Sequence, residues 1–282
     1  MKILVLGASG MMGNVIATYL DEQDHDVETL SMNIPLNKDT HMLNLLDKNA
    51  FEDFLNTHSF DVVVNASGVL IEDSEKHKDV STYLNSFLPH FLENKFKDTK
   101  TKLIHLSTDC VFSGHNGPYK EDSAYDGDLF YDRTKALGEI RNKKDLTFRM
   151  STIGPEIQVD GVGLFNWFMK QTGTIQGYKG AIWSGVTTLE LARGINEAIK
   201  QNLTGLYHLV PNSNISKYDL LNLIREVFNK NDVTIEPKES ETVTDKTLIN
   251  TRKDFDFTVS DYKTMIIQLH QWVNDHKSMY KY

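Results

Sequence analysis

The chain has a single cysteine, Cys110, in 282 residues. An internal disulfide is excluded, and a reducing compartment fits, so a cytoplasmic protein is expected. There is no C-x-x-C and no paired-histidine spacing, and the ten histidines are scattered; no metal site is expected. Cations are the minority charge: 30 Lys and Arg stand against 39 Asp and Glu, a formal net charge of −9. That balance speaks against nucleic acid as a partner, because gripping phosphates needs clustered positive charge. No apolar run is long enough to span a bilayer, so no membrane partner is expected, and the first residues read as a strand rather than a targeting segment. Repeats, low-complexity tracts and linkers are missing as well. What remains is a chain with 40% hydrophobic residues, enough for one large α/β unit and a smaller appended lobe.

The pattern alternates strand and helix through the first half. Lys2–Leu6 is a short apolar run, a candidate buried strand. Asn14–Leu20 reads as a helix and Asp26–Ser31 as a strand. A helix follows to Thr57, with Asp47 as its N-cap. Asp61–Asn65 is the next strand, turning at Ala66-Ser-Gly68. A longer helix runs roughly over 78–96, and Pro89 inside it predicts a kink or early break. Then come a strand at Lys102–Ser107, a Gly/Pro/Asp/Asn-rich loop over 114–128, a helix carrying Tyr131 and Lys135, and a strand at Leu146–Met150. This is the rhythm of a Rossmann-type, doubly wound parallel sheet. After Ser151 it changes, with breaks at Gly154-Pro155 and Gly161–Gly163. Helices are read over 164–169, 189–200 and 217–229, the last capped by Ser216, with a strand over 205–210 and a polar, exposed segment over 236–246. The expected division is a dinucleotide-binding domain from 1–155 plus about 186–212, and a smaller C-terminal substrate-binding lobe from about 156–185 plus 213–282.

Two places carry chemistry. Gly7-Ala-Ser-Gly-Met-Met-Gly13 lies between the first strand and the first helix. Gly7 would allow the tight turn, Gly10 a close approach of backbone to a pyrophosphate, and Gly13 close packing of helix on strand. Ser9, Met11 and Met12 complete the loop, whose free amides and helix dipole attract phosphate. The spacing G-x-x-G-x-x-G is one residue longer than the common dehydrogenase pattern. The second strand ends in Ser31-Met-Asn33, with neither an acid for an NAD ribose nor an arginine. The missing acid leaves room for a 2′-phosphate, so NADP is the expected cofactor, with NAD as the second choice.

Tyr131 and Lys135 stand four positions apart on a helix, on one face. Among eleven tyrosines this is the only one followed by lysine at that distance. Free tyrosine titrates at about 10, and a neighbouring cation lowers that value. Such a pair suits proton donation in carbonyl reduction. The strand ending at Ser107-Thr-Asp-Cys110 delivers hydroxyls to the same crevice, at the carboxyl ends of the strands. Thr108 is the candidate to hydrogen-bond a carbonyl, with Ser107 as backup.

With Asn65–Gly68, Ser107–Gly114, Pro118–Glu121, Tyr131–Glu139 and Trp183–Thr188, these motifs make the chain resemble the extended short-chain dehydrogenases/reductases. Within them it is most similar to the dTDP-4-dehydrorhamnose reductase group of sugar-nucleotide reductases, over roughly the first two-thirds of the chain. The resemblance implies that Thr108 polarises a keto oxygen, Tyr131 donates the proton, and Lys135 lowers the tyrosine pKa and holds the nicotinamide ribose. It places Ala66, Ser67 and Gly68 along the cofactor, Asn44 and Leu45 near the adenine, and Asn85 in a structural role. On the substrate side it places Ser107, Cys110, Val111, Phe112, Trp183, Thr187 and, at a phosphate, Arg252.

Two positions depart from the group. Asn44 stands where an acid is frequent. Cys110 stands where rhamnose-forming reductases carry tyrosine, and where dehydratases place glutamate. The implied activity is NAD(P)H-dependent reduction of a keto group, at C4, on a nucleotide-linked deoxy sugar, in surface polysaccharide biosynthesis. A sugar-nucleotide epimerase of the same superfamily is one alternative. A non-catalytic NADP-binding regulatory subunit is another, since the beta subunit of methionine adenosyltransferase resembles the same group. A nucleotide sugar is the expected partner, and a homodimer is compatible with the reading.

Overall fold

The computed structural model describes residues 1–211, 213–240 and 243–282. The first half alternates β1 (Lys2–Leu6), α1 (Met11–Glu22), β2 (Asp26–Ser31), β3 (His41–Met42), α2 (Lys48–Thr57), β4 (Val62–Asn65), α3 (Ile71–Lys76), α4 (Lys78–Ser81), a π-helical turn (Thr82–Phe87), α5 (Leu88–Phe96), β5 (Lys102–Thr108), α6 (Phe130–Leu137) and β6 (Leu146–Met150). The second half contributes β7 (Thr152–Ile153), α7 (Leu164–Lys170), β8 (Gly173–Tyr178), β9 (Ala181–Trp183), β10 (Val186–Thr187), α8 (Thr188–Lys200), β11 (Gly205–His208), β12 (Ile215–Ser216), α9 (Lys217–Val227), β13 (Val233–Lys238), β14 (Thr244–Asp245) and α10 (Tyr262–Asp275).

Seven strands form one sheet in the order β11-β6-β5-β4-β1-β2-β3, and every pair in it is parallel. Parallel strands buried on both faces need unbroken apolar runs. The four residues of β4 and the last four of β1 are all buried. One face packs under α1 and α8, with Val15, Ile16, Leu20, Ile195 and Ile199 in its core. The other packs under α2 and α5, with Phe51, Leu55, Leu88, Leu92 and Phe96. The chain reverses its direction of travel across the sheet between β1 and β4. A crevice opens at such a point, beyond the carboxyl ends of the strands.

The expected breaks lie close to where composition put them. Asp47 caps α2, accepting from the Ala50 amide at 3.1 Å, and Ser216 caps α9, accepting from the Asp219 amide at 3.0 Å. The long helix over 78–96 is not one helix. Pro89 lies in the first turn of α5, and the chain before it opens into the π-helical turn. Proline cannot donate its amide, which favours such a break.

Small sheets outside the main one were not foreseen: β8 pairs with β13, and β9 lies between β12 and β14. The polar segment 236–246 thus contains the end of β13 and all of β14, with described side chains that are exposed or half-buried. Glu241 and Thr242 within it, and Asn212 at the expected domain junction, lie outside the described residues. Helix α10 was also missed. Its buried Tyr262, Met265, Ile266, Leu269, Trp272 and Val273 follow a helical repeat, and Asp261 caps it.

Candidate active site

The glycine turn is shaped by what its glycines exclude. Gly7 has φ +75°, and a Cβ on it would stand 2.9 Å from the Cα of Ser67. A Cβ on Gly13 would stand 2.1 Å from the Gly7 carbonyl oxygen, so α1 packs directly on the turn. The Gly7 and Ala8 amides donate to the Leu30 carbonyl, at 3.0 and 3.1 Å, and the Ser9 amide donates to the Ser31 hydroxyl at 3.1 Å. Ser31 at the end of β2 is therefore buried and spent on the turn. Helix α1 begins at Gly10 with no side-chain cap and no acidic residue in its first turn. Orphan amides without a competing carboxylate fit a pyrophosphate.

The turn opens into a cleft of about 550 Å³. Ser9, Gly10, Met11 and Met12 line one end, with Ala66, Ser67 and Gly68 beside them. Ser107, Thr108, Cys110, Tyr131 and Lys135 line the same cleft, and Met150–Thr152 and the loop over 156–163 close it. Gly7 and Gly13 lie beneath the turn as its support. Tyr131 and Lys135, one turn apart on α6, are 8% and 6% exposed. The Lys135 ammonium donates to the Leu106 carbonyl at 2.8 Å, which aims it at the end of β5. Burial lowers its pKa to about 8, opposed by the charge of Glu139. Burial pushes the Tyr131 phenol up; Cys110 and Asp109 add to the shift and the Thr108 hydroxyl opposes it. The expected acidification by Lys135 is thus not the dominant effect here. Desolvation leads the shift, and the ammonium is engaged by the Leu106 carbonyl.

Compared with known proteins, residues 1–281 match the family model described as the RmlD substrate binding domain. The chain belongs to that family. It is 26% identical over 253 residues to a probable low-salt glycan biosynthesis reductase of Haloferax volcanii, covering 84% of this chain and 83% of that protein. It is 31% identical over 138 residues to a dTDP-4-dehydrorhamnose reductase of Streptomyces griseus, covering 48% of this chain and 43% of the relative, less than half its length. A dTDP-4-dehydrorhamnose reductase of Bacillus anthracis, solved in complex with NADP, superposes with a TM-score of 0.82 at 17% identity, covering 96% of this chain and 99% of that one. At that identity the likeness is one of fold, and it agrees with the parallel sheet described above.

Several residues named by family resemblance are not brought to the cleft. Arg252 donates to the Thr204 and Leu206 carbonyls, at 2.6 and 2.9 Å, pairs with Asp254 and covers the Tyr207 ring. It clamps the edge strand β11 and is not among the residues that line the cleft. Trp183 is buried against Tyr262, with the Lys217 ammonium 4.9 Å over its ring. Thr187 caps α8 through the Glu190 amide. Phe112 stacks on Tyr119 and under the Arg149 guanidinium, and Val111 belongs to the same small core. Leu45 is buried in the core under α2, and exposed Asn44 accepts from the Leu46 amide in the turn after β3. In each case the side chain is drawn to a packing or capping partner nearer than the cleft.

Other residues emerge only in three dimensions. Arg149 and Glu139 form a fully buried two-pronged pair, Nε to Oε1 at 2.8 Å and Nη2 to Oε2 at 2.6 Å. Burial pulls the Glu139 pKa up, but Arg149, Ser107 and Tyr125 together hold it below the usual value. Ser107, the backup hydroxyl, donates to Glu139 at 2.6 Å and so anchors the floor of the cleft. Asn85 in the π-helical turn accepts from the Val69 amide at 2.9 Å and donates back to its carbonyl at 3.1 Å. This pins the loop that follows β4, in line with the structural role expected of it. Glu156 lines the far wall and accepts from the Gly163 amide at 3.0 Å, with burial raising its pKa. Among the described residues one grouping brings three metal-type donors within 4.8 Å: Glu28, His41 and His58. Its carboxylate is occupied by Lys2 at 2.7 Å and His41 at 2.9 Å, and none of the three lines the cleft. Also among the described residues, no helix is long and apolar enough to cross a membrane.

Proposed function

We propose that the protein reduces a keto group, at C4, of a nucleotide-linked deoxy sugar, with NADPH as reductant and NADH as second choice. One observation carries the reading. A single cleft is lined by the glycine turn at one end and by Thr108, Tyr131 and Lys135 at the other. The printed activities of the relatives, reductases of glycan and dTDP-sugar chemistry, support the substrate class. The dinucleotide, when bound, supplies the hydride.

The chain's own residues do the rest. First-turn amides at Met11 and Met12 would hold the pyrophosphate, with Gly7 and Gly13 keeping the turn close to it. Lys135, its pKa lowered to about 8, carries its charge at neutral pH and would hold the nicotinamide ribose. Thr108 hydrogen-bonds the keto oxygen and fixes the carbonyl in line. Tyr131 holds the proton that this oxygen takes up. The phenol is protonated at neutral pH, the form a donor needs, while its burial makes it the weaker acid. The Cys110 thiol is pushed by burial up to about 12; it stays neutral, which leaves this slot without an acid or base for eliminating water. Residues 1–155 plus about 186–212 are assigned to the cofactor, and about 156–185 plus 213–282 to the substrate lobe.

The test is loss of NADPH absorbance with a panel of nucleotide 4-keto-6-deoxy sugars. Wild type should consume NADPH only when such a sugar is present. Tyr131→Phe should lose turnover by at least about 100-fold while binding NADPH as before. A Tyr131→Phe variant with normal turnover overturns the mechanism. Purification with tightly held dinucleotide and no net consumption points to an epimerase instead. A stoichiometric enzyme partner without reductase activity points to a regulatory subunit.

A further inference from the structure

Asn14, the residue directly after Gly13, is fully buried. Its amide nitrogen donates to the carbonyls of Gly10 at 2.8 Å, Met11 at 3.0 Å and Pro155 at 3.3 Å. It thus grips the first turn of α1 from inside and ties that turn to the opposite wall of the cleft, where Pro155 precedes Glu156. An amide can do this in only one of its two orientations; flipped, its oxygen would face three carbonyl oxygens.

What fixes the orientation lies 266 residues away. The Tyr280 hydroxyl donates to Asn14 Oδ1 at 2.8 Å, and the indole Nε1–H of Trp272 on α10 donates to the Tyr280 oxygen at 3.0 Å. The direction is set throughout, because an indole can only donate. Trp272 occupies a lone pair of the Tyr280 oxygen, the Tyr280 proton goes to Asn14, and the Asn14 nitrogen is left for the nucleotide turn. Trp272 and Tyr280 are each 6% exposed, so water does not substitute for either. Tyr282, in the same segment, bonds elsewhere: its hydroxyl accepts from the Glu156 amide at 2.9 Å, and its side chain is 40% exposed.

We infer that Tyr280 is a positioning residue for the dinucleotide site, setting through Asn14 the first-turn geometry that receives the pyrophosphate. The inference rests on the proposed cofactor site. It joins the segment after α10, which sequence motifs leave untouched, to the glycine turn at the other end of the chain.

The test measures NADPH affinity of the full chain by fluorescence titration without any sugar, then steady-state constants. Tyr280→Phe should raise the NADPH Kd and KM by about five- to tenfold, the worth of one buried hydrogen bond. The kcat at saturating NADPH and the KM for the sugar should hold. Trp272→Phe, which removes the indole donor together with part of a buried ring, should move affinity in the same direction by less. Tyr282→Phe should leave NADPH affinity within about twofold, because its hydroxyl bonds the opposite wall. An unchanged NADPH Kd in Tyr280→Phe, whatever its melting temperature, overturns the inference. So does an equal loss in Tyr282→Phe, which marks general loosening rather than a route through Asn14. A wild type that binds neither NADPH nor NADH sinks the proposed function itself, an outcome separate from these.

Discussion

The two walls of the cleft are built differently. One is made of strand ends and helix starts: the turn after β1, the end of β5, and α6. Its groups are fixed by backbone geometry, as with Gly7 at φ +75°, and by buried bonds, as with Lys135 on the Leu106 carbonyl. The other is the loop over 156–163, held by single contacts such as Glu156 on the Gly163 amide and Asn166 on the Gly161 carbonyl. Rigid elements hold groups to tighter tolerance than loops do, and a loop wall varies at less cost to the fold. On the proposed reading, the chemistry would fall to the first wall and the choice of sugar to the second.

Four measurements sharpen or break that contrast. The largest effect is expected beneath the first wall, at the Arg149–Glu139 pair. Arg149→Ala strands a buried carboxylate and should cost about 3–5 kcal/mol of stability in urea unfolding. The acid limb of the native pair follows from its sign: Glu139 is held below its ordinary pKa, so its contribution is complete above about 4.5 and fades as pH falls further. Wild-type stability that is flat through that acid limb would remove the pair from the account.

Next comes Gly13→Ala, whose methyl meets the Gly7 carbonyl. A loss of about 1–3 kcal/mol with disappearance of NADPH binding is expected in a thermal-shift titration; retained binding would show that the turn gives way. The third is a pH profile. Lys135 has its pKa lowered to about 8, so kcat/KM for NADPH should fall as pH rises past about 8, close to tenfold per unit. A level profile to pH 10 would take Lys135 out of that role. The smallest lies on the loop wall: Glu156→Gln should change stability by less than about 0.5 kcal/mol and alter sugar preference without touching NADPH affinity. Equal damage to both substrates would erase the distinction between the walls.

Legibility followed the same divide. The turn after β1 and the α6 pair sit in contiguous sequence, where spacing fixes relative position, and both reached the cleft. The parallel sheet was readable because buried strands must be apolar along their length. Arg149 and Glu139 were not recognised as partners: they are ten residues apart on different elements, and no local period links a helix end to a strand. Arg252, Trp183 and Thr187 depend on how the second half packs, and short paired strands such as β8 and β13, half exposed, leave little pattern to read. Helix α10 did leave one, with apolar residues at helical spacing behind Asp261.

The π-helical turn carries a mechanical consequence. Asn85 sits within it, and a Cβ on Gly138, just past α6, would come 1.9 Å from the Asn85 carbonyl. The widened turn therefore sets the phase at which one residue meets both the helix bearing the phenol and the strap of backbone at Val69. Removing a single residue between 82 and 84 would restore ordinary pitch and swing Asn85 by roughly 100° about the axis. Both abutments would lose their keystone together, though neither had been altered.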